Sequence, residues 1–291
     1  MPALQAFAVH VDCALAVTQP DRPAGRGHKL QPTPVKTAAR ELGIPTIEPE
    51  KLHDAFASLR ALDAELYAVA SYGKIVPQTL LDLPPLGALN VHPSLLPRYR
   101  GATPLQAQLR DGVTLGGVTI IAMDAGMDTG DIVVRAERSI GPAETYGELH
   151  ERFARLGAEL LGQACELVGA GRATRTPQDG RDDPAIVAAT LTRPLRKGDL
   201  IVDWTRPARR VVDHIRSLSP QPGARATLDG EATAVKILEA RLASDATSAG
   251  EFTIVCGDGA RVAIERLVPP NRGAMTGRAY LAARNARELA R

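Results

Sequence analysis

From residue 12 to residue 171, short apolar runs alternate with stretches that keep helical spacing, and few folds satisfy such a pattern. The strand candidates are 12–18, 45–47, 66–70, 117–123 with its β-branched run, and 131–136. Between them 35–42, 51–62 and 104–110 read as helices, and 2–9 as the end of another. A long amphipathic helix is predicted over 144–168. There Tyr146, Leu149, Phe153, Leu156, Leu160, Ala164 and Leu167 recur three and four residues apart, until Gly169 and Gly171 stop it. Strands separated by helices pair in parallel and are covered on both faces. The expected fold class is therefore α/β, a doubly wound, mostly parallel, Rossmann-like sheet. The Pro and Gly density of 19–32 argues against regular structure there.

Past residue 190 the pattern changes to a short helix over 206–217 and strands at 224–228, 233–238, 252–256 and 262–267, which suits a small β-barrel of the OB-like kind. Residues 172–190, rich in Thr, Asp, Arg and Pro, read as a linker. Three parts are expected: a catalytic domain over 1–171, the linker over 172–190 and a C-terminal domain over 191–291. At 291 residues the chain is long enough for two cores. Aromatic residues are 3%, so those cores must be built from Leu, Val, Ile and Ala.

The net charge of +2 hides an asymmetry, because residues 191–291 carry 17 Lys and Arg against 11 Asp and Glu. A basic back half behind an acidic front half points to a polyanion as partner of the C-terminal part. Cys13, Cys165 and Cys256 are odd in number and far apart, which fits a reducing, cytoplasmic setting and neither a metal site nor a disulfide framework. No apolar run reaches the roughly 18 residues that would span a bilayer, so no membrane partner is expected. The apolar opening, 2–17, lacks a basic start and is broken by His10 and Asp12, unlike a signal peptide. A monomer is expected.

The chemistry concentrates at the ends of strands. Asn90 and His92 close an apolar run that breaks into the Pro-rich loop Pro93-Ser94-Leu95-Leu96-Pro97. Two residues apart on a strand, they project to one side at its carboxyl end, the edge where open α/β sheets bind ligands. An amide donor beside an imidazole suits a reaction that builds negative charge on oxygen and moves a proton. The Gly-punctuated loop with Asp124, Asp128 and Asp131 could bring a carboxylate to that imidazole, and Ser71-Tyr72-Gly73-Lys74-Ile75 is a third strand end. No Gly-x-Gly-x-x-Gly follows a strand and there is no Walker loop, which disfavours a nicotinamide enzyme or a P-loop NTPase.

On Asn90-x-His92 and the Asp128 loop the chain resembles the folate-dependent formyltransferase family. On three longer motifs it resembles the branch acting on methionyl-tRNA: Thr18-Gln19-Pro20-Asp21-Arg22-Pro23-Ala24-Gly25-Arg26-Gly27, Ser94 to Gly101, and Ile201-Val202-Asp203-Trp204. The resemblance covers nearly the whole chain. It implies transfer of the formyl group of 10-formyltetrahydrofolate, without a metal, to the α-amine of methionyl initiator tRNA for translation initiation. It also implies catalytic roles for Asn90, His92 and Asp128, and a folate site along Ser94, Leu95, Leu96, Pro97, Tyr72, Gly73 and Ile75. Arg22, Arg26 and Lys29 of the basic loop, with the C-terminal domain, would contact tRNA.

One departure stands out: members begin with a strand and a short Gly-containing loop, whereas this sequence begins inside the first helix. The expectation is a start site placed too far downstream. Two other readings stay open on the residues alone: a formyltransferase acting on a nucleotide-linked amine, and a tRNA-binding protein without activity.

Overall fold

The structure, a computed structural model, describes residues 2–24, 29–228, 234–244 and 250–289. The chain divides into two compact units. Unit 1 comprises Met1–Ala102, Gly117–Arg138 and Arg152–Leu191, and unit 2 comprises Thr103–Gly116, Ser139–Glu151 and Thr192–Arg291.

Unit 1 begins with helix α1 (Pro2–His10), strand β1 (Ala16–Val17), strands β2 (Arg22–Ala24) and β3 (Lys29–Gln31), helix α2 (Pro34–Glu41) and strand β4 (Thr46–Ile47). Thr33 caps α2 by accepting from the Lys36 N–H at 3.1 Å, with Pro34 in the first turn where its missing N–H is harmless. β1 and β4 pair in parallel, Ala16 beside Thr46. Helix α3 (Phe56–Leu62), strand β5 (Tyr67–Val69) and helix α4 (Gln78–Leu81) lead to strand β6 (Ala88–His92). Helix α5 (Pro104–Asp111) intervenes before β7 (Leu115–Ala122) and β8 (Ile132–Ser139).

Among the described residues β5, β6, β7 and β8 form one sheet in that order. β5 and β6 run parallel because a loop and helix connect them, and β6 and β7 run antiparallel. β7 and β8 are also antiparallel, Ala122 lying opposite Asp131 and Gly117 opposite Ala136. The Rossmann-like sheet is thus mixed. β7 is buried from Gly116 to Ala122, as befits its interior place. Helix α6 (Tyr146–Gly169) presents Phe153, Leu156, Leu160, Leu161, Ala164 and Val168 as its buried stripe. Each of the larger side chains, Phe153, the leucines and Val168, contributes about 1.5–3 kcal/mol. A Cβ at Gly157 would lie 2.7 Å from Val91 Cγ1, so the helix approaches β6 where it has no side chain.

Two expectations for this unit need correction. Residues 19–32 were expected to be irregular, yet β2 and β3 pair as an antiparallel hairpin with Pro23 opposite Leu30. A two-stranded ribbon has an open edge on each strand, where a proline's missing N–H breaks no ladder bond. Residues 172–190 form a packed segment and not a free linker. It contains helix α7 (Pro184–Ala189), capped by Asp183, and Gln178 is only 3% exposed. Its polar composition serves hydrogen bonds to unit 1 loops.

Unit 2 is built on helix α8 (Ala208–Leu218), against which strands β9 (Ala224–Ala226), β10 (Val235–Leu242), β11 (Thr253–Val255), β12 (Arg261–Val268) and β13 (Met275–Thr276) curl as a half-barrel. These strands pair with one another antiparallel. Val211, Ile215 and Leu218 of α8 share a core with Val235, Ile237, Val262, Ile264 and Leu267. The strand-and-turn expectation missed a last helix, α9 (Gly277–Leu289). Thr276 accepts from the Ala279 N–H at its start, and the Ala- and Arg-rich stretch after it favours helix. No helix among the described residues is long and apolar enough to cross a membrane.

Candidate active site

Asn90 and His92 lie on β6, beside Ile121 and Thr119 of β7, and Asn90 is also beside Val69 of the parallel strand β5. The 71–75 segment that follows β5 therefore leaves the sheet at the same edge as the loop that follows His92. His92 is 4% exposed and Asn90 half-buried.

The imidazole is held at both nitrogens. Nε2 lies 2.9 Å from the Tyr99 carbonyl oxygen, which can only accept, and this partner assigns the proton to Nε2. Nδ1 faces Asp128 Oδ2 at 3.5 Å. Asp128 also receives a hydrogen bond from Asn90 Nδ2 at 3.3 Å on Oδ1, and one from the Gly101 N–H at 2.8 Å on Oδ2. Burial pushes the His92 imidazole below its ordinary value, while the Asp128 charge and the Tyr99 contact pull it back up and the Arg100 charge adds to the lowering. The result is a neutral, enclosed base beside a carboxylate.

The Asp128 loop is shaped by its own residues. Asp124 Oδ1 accepts from the Gly126 N–H at 3.0 Å and from the Thr129 hydroxyl at 2.7 Å. Asp128 itself is left-handed at φ 56°, a region Asp tolerates better than most residues. A Cβ on Gly130 would run into the Ala122 carbonyl oxygen, so the loop can meet β7 only through glycine. Gln178 donates from Nε2 to the carbonyls of Asp128, at 2.9 Å, and Gly130, at 2.7 Å. Residue-type reasoning missed Gln178, Arg100 and the Tyr99 carbonyl. A backbone acceptor leaves no mark in a sequence, and Gln178 lies in a segment that composition alone marks as linker.

The other site candidates are more scattered. Ser94 and Leu96 are fully buried. The Ser94 hydroxyl donates to the Arg98 carbonyl at 2.7 Å, and Thr119 Oγ1 donates to the Ser94 carbonyl at 2.7 Å. Pro97 is buried and Leu95 half-buried, so this loop can meet a ligand mainly through its backbone. Gly73 and Ile75 are exposed, and the Tyr72 hydroxyl is buried without a hydrogen bond from the described residues. At this edge the exposed backbone of Gly73 and Ile75 is what a ligand can reach. Arg22 is exposed on β2, Lys29 opens β3, and Arg26 lies outside the described residues. Lys36 is held between Asp21 at 3.0 Å and Glu48 at 2.8 Å. Among the described residues no group of three or more His, Cys, Asp or Glu could hold a metal ion.

Comparison with known proteins accords with this geometry. The sequence matches the formyl transferase family over residues 2–165 and the formyl transferase C-terminal domain over residues 194–285. The chain belongs to the formyl transferase family. It is 43% identical over 274 residues to the methionyl-tRNA formyltransferase of Anaeromyxobacter dehalogenans, covering 89% of this chain and 85% of that one. It is 39% identical over 295 residues to that of Moorella thermoacetica, covering 97% and 92%. Among solved structures, the N-formyltransferase of Helicobacter canadensis, in complex with folinic acid and dTDP-3-aminofucose, superposes with a TM-score of 0.63. At 16% identity, over 90% of this chain and 93% of that one, it shares the fold of this formyl transferase.

Proposed function

We propose that the chain transfers the formyl group of 10-formyltetrahydrofolate to the α-amine of methionyl initiator tRNA, acting as a cytoplasmic monomer. The observation that carries this reading is one carboxylate, Asp128, in contact with both an amide donor and a buried imidazole at the ligand-binding edge of the sheet. The substrate assignment rests on relatives of 39–46% identity that bear the name methionyl-tRNA formyltransferase.

The folate supplies a formyl carbon bonded to its N10. The amine nitrogen bonds that carbon, the carbon–N10 bond breaks, and one proton passes from the amine to N10. Asn90 directs one N–H at Asp128, which leaves its second N–H for the formyl oxygen as negative charge develops there. Such a donor is worth about 3 kcal/mol of barrier. His92 keeps its Nε2 proton on Tyr99, so Nδ1 is the nitrogen that works. Bare, it sets a lone pair against a carboxylate oxygen at 3.5 Å, an arrangement relieved by one proton between them. The His92–Asp128 pair is thereby set to accept the proton the amine must lose, help worth about 10²- to 10⁴-fold. Ser94 to Pro97 and Tyr72 to Ile75 offer backbone groups to the pterin. The tRNA phosphates are assigned to Arg22, Arg26 and Lys29 and to the basic C-terminal unit.

Incubation with labelled 10-formyltetrahydrofolate and methionyl initiator tRNA tests the reading. Label is expected in formyl-methionyl-tRNA. Transfer to a nucleotide-linked amino sugar, with none to tRNA, would overturn it.

A further inference from the structure

Asp128 must hold an unrelaxed backbone, φ 56°, while its carboxylate serves three donors or partners at once. What restrains it comes from fifty residues away. The Gln178 side chain is 3% exposed, and each of its polar atoms is engaged. Oε1 accepts from Arg100 Nε at 3.1 Å and from a terminal guanidinium nitrogen at 2.8 Å. A guanidinium can only donate, so the amide oxygen must face Arg100 and the NH₂ must face the two carbonyls of Asp128 and Gly130. Its orientation is therefore settled by chemistry. The next residue along from Arg100, Gly101, donates its own N–H to the Asp128 carboxylate. Gln178 thus joins the loop that holds the carboxylate to the loop that carries it.

We propose that Gln178, oriented by Arg100, is a positioning residue that fixes the Asp128 backbone so that its carboxylate meets Asn90 and His92 together. It touches no reacting atom. Further contacts brace the same segment on the same loop: Asp182 pairs with Arg98, and Thr190 Oγ1 accepts from the Tyr99 N–H at 3.3 Å. The 178–190 segment is thus a clamp over the two loops that define the site.

The inference concerns the site read above as formyl-transferring, but its decisive readout is independent of that activity. The ionisable groups facing His92 are Asp128 from the 124–130 loop and Arg100 from the 94–101 loop, while β7 offers only the neutral Thr119. A displaced Asp128 withdraws the charge that favours imidazolium and leaves burial and Arg100 unopposed. The His92 titration, followed by NMR on the substrate-free protein, should then move to lower pH. The variants are Gln178→Ala and Gln178→Met, the second of similar length and uncharged while lacking both N–H donors. Both should show that shift, and both should lose about 10- to 100-fold in kcat with KM for tRNA little changed, the usual cost of a misplaced catalytic group. An unmoved His92 titration in folded Gln178→Met, or a kcat loss that only tracks the folded fraction, would overturn the proposal. Absence of formyl transfer by the wild type would refute the functional reading and leave the titration result standing.

Discussion

At the scale of the residue, the site is a matter of which atom each polar group faces. The Asn90–His92 spacing and the Asp-containing loop are legible because strand alternation is a strict rule, and two residues apart means one face. Their wiring is not legible. The Tyr99 carbonyl decides which ring nitrogen is left to work, and no residue type encodes a carbonyl. The loop that carries Asp128 depends on Gly130, where a Cβ would strike the Ala122 carbonyl oxygen. Gly130→Ala should cost about 1–3 kcal/mol, the usual penalty for forced overpacking. Urea titration measures it, and an unchanged midpoint would show that the loop meets β7 less closely. Activity should fall further than stability, since the loop holds the carboxylate.

At the scale of the element, helix α8 combines an apolar stripe with a charge pair inside the second unit. Asp213 is 1% exposed and accepts from Arg216 Nε at 2.8 Å and from Arg209 at 2.9 and 3.1 Å. Arg216, itself buried, donates onward to the carbonyls of Gly141 and Glu144 at 3.1 Å and of Leu109 at 3.3 Å. Removing the carboxylate strands a buried guanidinium, so Asp213→Ala should cost about 3–5 kcal/mol. A loss under 1 kcal/mol in denaturant unfolding would mean that water reaches Arg216. Periodicity told the long elements apart, because α6 and β7 bury a stripe and a run that no other spacing explains. It failed at β2 and β3, where Pro and Gly mark turns but a lone ribbon can still carry them at its open edges. It failed again at α9, where polar residues on a short terminal helix leave little apolar rhythm to read.

At the scale of the whole molecule, the chain joins a mixed α/β unit to an antiparallel one, a division the change in pattern near residue 190 foreshadows only in part. Residues 103–116 and 139–151 belong to the second unit although they lie within the strand-and-helix region. Sequence order cannot announce such an exchange, since long-range packing decides it. Acid stability follows from two imidazoles. Burial holds His214 below its ordinary value, with the charges of Arg110 and Arg206 adding to the lowering, and burial likewise lowers His92. The unfolded chain takes up these protons near pH 6.5, before the native state does. Stability is therefore full above that value and falls as pH drops from about 6.5 toward the lowered native values. Thermal melts should show this decline, and His214→Gln should flatten part of it. A slope unaltered in that variant would contradict the assignment.

The proposed roles of Asn90 and His92 in the transfer are tested most directly by single-turnover formylation of methionyl initiator tRNA. Wild type, Asn90→Ala and His92→Ala would be compared after circular dichroism has shown each to be folded. A rate loss of about 10²- to 10³-fold is expected for Asn90→Ala, the effect of removing an oxyanion donor. For His92→Ala the expected loss is about 10²- to 10⁴-fold. Wild-type turnover in either folded variant would contradict these roles.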